Sequence, residues 1–125
     1  SVLAGPSVGL FFAEMGAHIT KVENKKTGGD VTRSWKLPTE TKDRDISAYY
    51  SSVNWNKTSV FMDLTNNDDL DALLRLIKAA DILIVNFKAG DAEKFNLDYK
   101  TLKKINAKLI YGEITGFGRD SDRVA

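Results

Sequence analysis

Apolar residues Val8, Phe11, Phe12 and Met15 fall at i, i+3, i+4 and i+7, the stripe of a helix buried along one face. Gly5-Pro6-Ser7 stands ahead of that stripe, and Gly16 follows it, placed to end the helix as a C′ residue. His18-Ile19-Thr20-Lys21-Val22 then alternates and carries β-branched side chains, which predicts a short strand running to Glu23. Over residues 24–46 the composition turns to Lys, Gly, Asp, Thr and Arg, with Pro38 in the middle. The expectation is a long surface loop, a kind that in compact domains is usually functional or mobile.

Residues 47–52, with Ala48, Tyr49 and Tyr50, predict a short helix, and residues 59–63 a strand. Leu70, Leu73, Leu74 and Ile77 form a second helical stripe, with Asn67 as its expected cap. Asp68, Asp69 and Asp71 lie in its first turn, where acidic groups complement the partial positive charge of a helix N-terminus. Asp81-Ile82-Leu83-Ile84-Val85-Asn86 is nearly all apolar and suits a strand covered on both faces, as in a parallel sheet. Residues 99–105 predict a helix and residues 109–114 a strand. This alternation points to an α/β fold with a mainly parallel sheet flanked by helices.

Composition narrows the function classes. The 125 residues, 42% hydrophobic and 28% charged, describe an ordinary globular chain able to bury a core as one domain. No cysteine is present, which excludes a disulfide framework, a cysteine-based zinc site and a thiol nucleophile together. It also fits a reducing, cytoplasmic setting. Eighteen basic against 17 acidic residues give a net charge of +1, without the basic excess of a nucleic-acid binder. The longest apolar run, residues 8–13, is far too short for a membrane span, and no signal-peptide pattern opens the chain.

In open parallel sheets, ligands bind beyond the carboxyl ends of the strands. Asn24, Lys25 and Lys26 follow the first predicted strand, Leu64 and Thr65 the second, and Asn86, Phe87 and Lys88 the third, with Lys94 and Phe95 close behind. Ammonium groups beside aromatic rings suit a ligand with phosphates and a flat base; solvated lysines and core phenylalanines fit the same pattern. Neither a G-x-G-x-x-G nor a Walker sequence is present. His18 is the only histidine, without a partner at metal-ligand spacing, so no metal is expected. Glu23, Asp30, Asp63 and Glu113 are scattered, and no spacing makes an acid/base pair of them. Pattern alone therefore supplies a fold and a ligand edge, not a reaction.

Several segments in order carry a resemblance. They are Leu3-Ala4-Gly5-Pro6, Met15-Gly16-Ala17, Ile19-Thr20-Lys21-Val22-Glu23, Gly29-Asp30-Val31-Thr32-Arg33, Asn54-Trp55-Asn56-Lys57 and Met62-Asp63-Leu64. Ala80-Asp81-Ile82-Leu83-Ile84-Val85-Asn86-Phe87 with Gly90, and Ile114-Thr115-Gly116-Phe117-Gly118, complete the set. Together they cover almost the whole chain and resemble the N-terminal region of class III (CaiB/BaiF-type) CoA-transferases. The resemblance implies a Rossmann-like domain that binds coenzyme A at its strand ends, within an interlocked homodimer. It implies transfer of CoA between acyl-CoA and a carboxylic acid through an aspartyl-CoA thioester. Coenzyme A contacts are then expected at Leu3, Ala4, Asn24, Lys25, Met62, Asp63, Leu64, Thr65, Asn86, Phe87, Lys88, Lys94 and Phe95.

The chain departs from the family pattern at several of these points. Asn24 stands where relatives often carry Arg, Thr65 where Lys is common, and Ala89 where Pro is frequent. Lys94-Phe95 replaces an Arg-Met or Arg-Leu pair, and Asn96 a usual Gly. Lys25 or Lys26 offers a point charge in place of a bidentate fork. Residues 29–33 and 56–57 also match family motifs, either as ligand contacts or as residues that hold the loop to the sheet. None of Asp30, Asp63, Asp81, Asp120 or Asp122 matches the nucleophile, which the family places beyond residue 125. The first strand is expected ahead of Ser1, so residues 1–125 are expected to be a partial CoA-binding α/β domain. Two alternatives stand beside the transferase: an α-methylacyl-CoA racemase, whose proton-transfer pair would again lie beyond Ala125, and a non-catalytic CoA-binding fragment.

Overall fold

The predicted first helix forms as α1, Ala4–Glu14, which begins before the stripe and takes Pro6 into its first turn. A proline is tolerated there because the first amides of a helix have no acceptor within it. The residues α1 buries are Pro6 and Ala13, whereas Phe11 and Met15 of the expected buried stripe are exposed and Val8 and Phe12 only half-buried. Gly16 closes α1 at φ +91°, with the Ala17 amide donating to the Phe12 carbonyl at 3.0 Å and Gly16 to Ala13 at 3.1 Å. This pair of bonds is a Schellman closure, as the glycine position predicts. The computed structural model describes residues 2–118 and divides the chain into two units, Ser1–Asp63 and Leu64–Ala125. Ser1, Asp120 and Asp122 lie outside the described residues.

In the first unit, β1 (Ile19–Asn24) pairs in parallel with β2 (Lys57–Met62), in register from Ile19 opposite Lys57 to Asn24 opposite Met62. The loop predicted between them contains two short 3-10 turns, Lys25–Thr27 and Val31–Ser34. It leads to α2, Ala48–Asn54, where the Ser47 hydroxyl accepts from the Tyr50 amide at 2.9 Å. The second strand starts two residues earlier than its β-branched run suggests. Asn56, in the left-handed region at φ +57°, turns the chain straight from α2 into Lys57.

In the second unit, α3 spans Asn67–Ala79 and buries Leu73 and Ile77, with Leu70 and Leu74 half-buried beside them. Its cap is Asn66, one residue before the expected one, through a 3.1 Å bond from the Asp69 amide. β3 (Ile82–Val85) pairs in parallel with β4 (Ile110–Glu113). Between them lie α4 (Asp91–Lys94), too short to leave a periodic signal, and α5 (Tyr99–Ile105), at its predicted bounds. Val85, Ala92, Leu97, Leu102 and Leu109 are buried, whereas Ile82 and Ile110 are exposed. The apolar run at β3 is therefore covered at its C-terminal end and open at its start. Among the described residues each sheet has two strands, paired in parallel and joined through helical turns, so the predicted α/β class holds.

Candidate functional site

The register of β1 and β2 places Asn24 beside Met62 at the C-terminal edge of the first sheet. The Asn24 side chain accepts from the Lys26 amide at 2.9 Å, which folds Lys25–Thr27 back over the strand end. Lys26 Nζ meets Asp63 at 3.1 Å, and Lys25 is exposed on the same turn. Met62 itself is buried. Asn24, Lys25, Lys26, Met62 and Asp63 are thus gathered at one edge. Leu3 and Ala4 are exposed at the start of α1, and the Leu3 carbonyl accepts from the Ser7 amide and hydroxyl.

Glu23, the residue before this edge, is buried and takes up four donors. Arg33 donates from Nε to Oε2 at 2.8 Å and from Nη2 to Oε1 at 2.7 Å. The Asp30 amide adds 2.8 Å to Oε2, and the Tyr50 hydroxyl 2.8 Å to Oε1. Burial alone would raise the Glu23 pKa; the bonds from Arg33, the Asp30 amide, Tyr50 and Ser59 outweigh it and lower it to about 2. The Arg33 guanidinium lies 4.1 Å from the centre of the Tyr50 ring and 5.3 Å from that of Phe61. Asp30 caps the next 3-10 turn through the Thr32 amide and pairs with Lys21 at 2.6 Å. Burial pushes the Asp30 carboxyl up, but Lys21 and Thr32 together hold it below its ordinary range.

Gly29 makes this closeness possible. It sits at φ +101°, and a Cβ there would lie 2.6 Å from Glu23 Oε2 and 2.8 Å from the Phe61 ring. Residues 29–33 therefore hold the loop against the sheet, one of the two roles the sequence left open for them. Lys57 does the same for the helices, donating to the Pro6 carbonyl at 2.6 Å, Val53 at 2.5 Å and Asn54 Oδ1 at 3.2 Å. Linear spacing missed this network because Glu23, Arg33 and Tyr50 are far apart along the chain. The one local signal was Asp30 ahead of Thr32, an Asx cap just after a glycine pair.

In the second unit, the end of β3 carries the other predicted residues. Asn86 Nδ2 donates to the Ile114 carbonyl at 2.7 Å, tying the exit of β3 to the end of β4. The Phe87 and Phe95 rings are half-buried and packed on each other, with centres 6.5 Å apart and planes tilted by 41°. Lys94 Nζ stands 5.5 Å from the Phe95 ring centre, and Lys88 is exposed. Gly90 at φ +84° and Asn96 at φ +55° bend the chain on either side of α4 and bring Phe95 back to Phe87. Leu64 and Thr65 lie in the turn before α3. Among the described residues, no helix is long and apolar enough to cross a membrane.

These features define an α/β protein whose parallel strands end in amide, ammonium and aromatic groups. The sequence profile of CoA-transferase family III matches residues 1–125, and the chain belongs to that family. It is 45% identical over 121 residues to a succinate–glutarate CoA-transferase of Agrobacterium fabrum, covering 94% of this chain and 30% of that protein. A succinyl-CoA:mesaconate CoA-transferase of Haloarcula hispanica is also 45% identical, over 120 residues, covering 94% of this chain and 29% of its own length. The crystal structure of a CaiB/BaiF family protein from Brucella suis superposes with a TM-score of 0.90 at 39% identity, covering 98% of this chain and 32% of that one. The chain thus spans about 30% of the length of the curated relatives it matches.

Proposed function

We propose that this chain is the coenzyme-A-binding part of an acyl-CoA:carboxylate CoA-transferase. The observation that carries the reading is the family match over all 125 residues, joined to 45% identity with transferases named for succinate, glutarate and mesaconate. Donor and acceptor are accordingly a dicarboxylyl-CoA and a free dicarboxylate. In the first unit the coenzyme contacts are assigned to Leu3, Ala4, Asn24, Lys25, Met62 and Asp63. In the second they are assigned to Leu64, Thr65, Asn86, Phe87, Lys88, Lys94 and Phe95. Lysine ammonium groups answer phosphate oxygens, and a phenylalanine face accepts the adenine.

The exchange runs through an aspartate assigned to the part of the whole protein beyond Ala125. Its carboxylate attacks the acyl thioester and expels the CoA thiolate, leaving an acyl-aspartyl anhydride. The thiolate then attacks the aspartyl carbonyl, releases the donor acid and forms an aspartyl-CoA thioester. The acceptor acid reverses these steps and leaves as its own CoA thioester. Covalent catalysis splits one difficult transfer into easier ones. The whole protein is assigned as a cytoplasmic, interlocked homodimer, and the scheme calls on no metal.

Two measurements test the proposal. Amide shifts of the isotope-labelled chain, titrated with coenzyme A, are expected to saturate at residues 24–26 and 86–95, more weakly with dephospho-CoA. The whole protein, given succinyl-CoA and glutarate, is expected to form glutaryl-CoA, while the 125-residue chain alone turns over nothing. A dispersed spectrum indifferent to CoA would overturn the assigned edge. Exchange of the α-proton without CoA transfer would overturn the transferase assignment in favour of a racemase.

A further inference from the structure

The turn at residues 24–29 is closed from within. The Gly29 amide donates to the Asn24 carbonyl at 2.9 Å, and the Thr27 hydroxyl bridges the Asn24 and Gly29 carbonyls at 3.3 and 3.1 Å. What fixes the turn to the sheet lies beneath it. Glu23 anchors both of its ends: its own backbone leads into Asn24, and its carboxylate accepts the Asp30 amide just past Gly29. That carboxylate is held in turn by the Arg33 fork and the Tyr50 hydroxyl. The Glu23 and Arg33 side chains are only 1% and 16% exposed, so no ligand meets the carboxylate directly. The turn itself, with Lys25 and Lys26, faces outward.

We propose that Glu23 and Arg33 are a positioning pair for the anionic end of coenzyme A, acting through the turn at residues 24–29. This rests on the assignment of Asn24 and Lys25 as coenzyme contacts. The pair presets the turn before the ligand arrives, so the phosphates meet lysines whose backbone is already ordered. Preorganisation of this kind raises affinity by removing an ordering cost from the binding step. Arg33 is suited to the task because a bidentate fork fixes the carboxylate plane, which a lysine cannot do.

The test measures coenzyme A affinity by calorimetry in the whole protein, at a temperature where circular dichroism shows every variant folded. Arg33→Lys and the milder Tyr50→Phe perturb the support without touching the ligand-facing turn. Lys25→Ala/Lys26→Ala removes the assigned Lys25 contact together with the neighbouring Lys26 charge, and Asp98→Ala, which uncaps α5 in the other unit, controls for lost stability. Arg33→Lys is expected to weaken coenzyme A roughly tenfold and Tyr50→Phe by less, with pantetheine, which lacks the phosphates, unaffected. In the Lys25→Ala/Lys26→Ala background the Arg33→Lys effect should disappear, and Asp98→Ala should leave affinity unchanged.

If the lysine variant weakens coenzyme A but Arg33→Lys and Tyr50→Phe do not, the pair is only structural; the inference fails and the assigned edge stands. An equal loss from Asp98→Ala would trace the effect to stability and sink the inference as well. If the lysine variant binds normally, the lysines of the turn do not meet the coenzyme phosphates, and the Lys25 assignment and the inference fall together.

Discussion

Glu23→Gln isolates the charge at the centre of the first unit. The substitution keeps the size of the side chain and removes an ionised group whose Arg33 partner is also largely buried. A pKa of about 2, against 4.5 for an ordinary glutamate, makes the ionised form worth about 3 kcal/mol at roughly 1.4 kcal/mol per pH unit. The folded-state pKa lies below the unfolded one, so this contribution is complete above about pH 5 and is lost as pH falls towards 2. Urea denaturation of both proteins from pH 7 to pH 2 is the assay. At pH 7 the variant should be less stable by about 3 kcal/mol, in line with an uncompensated buried partner. The gap should close on the acid side, because protonated glutamate and glutamine present nearly the same neutral group to Arg33. A gap that stays constant with pH would show that shape, and not charge, sets the role of Glu23.

Two further outcomes follow from the same unit. Gly29→Ala should cost at least about 2 kcal/mol in chemical denaturation, from the positive φ and the contacts a Cβ would force on Glu23 and Phe61; a neutral result would mean the turn shifts freely. Lys57→Met keeps the aliphatic stem but strips a donor from the Pro6 and Val53 carbonyls, and should lower stability by about 1–3 kcal/mol as read from the shift in the urea midpoint. An unchanged midpoint would mean that water replaces the ammonium without loss.

Much of the secondary structure was legible because it is local. The helices marked by Val8 to Met15 and Leu70 to Ile77 need only a 3.6-residue period, though only the second buries the face its stripe marks, and Gly16 needs only the left-handed conformation that ends a helix. The residues at the strand ends were legible too, since parallel α/β alternation places them there before any contact is known. Their partners were not. Glu23, Arg33, Tyr50 and Ser59 meet only because β1 and β2 pair in register and the loop folds back over Gly29. Linear spacing saw Glu23 as one of several scattered carboxylates and Lys57 as a charge within a motif. Sequence by itself determined the α/β class and the family resemblance, because both follow from the order and type of residues along the chain. The tertiary structure alone decided that a surface-looking loop is held by a buried ion pair. A charge leaves water only when distant segments bring enough donors to replace it, and that condition has no signature in any one stretch of sequence.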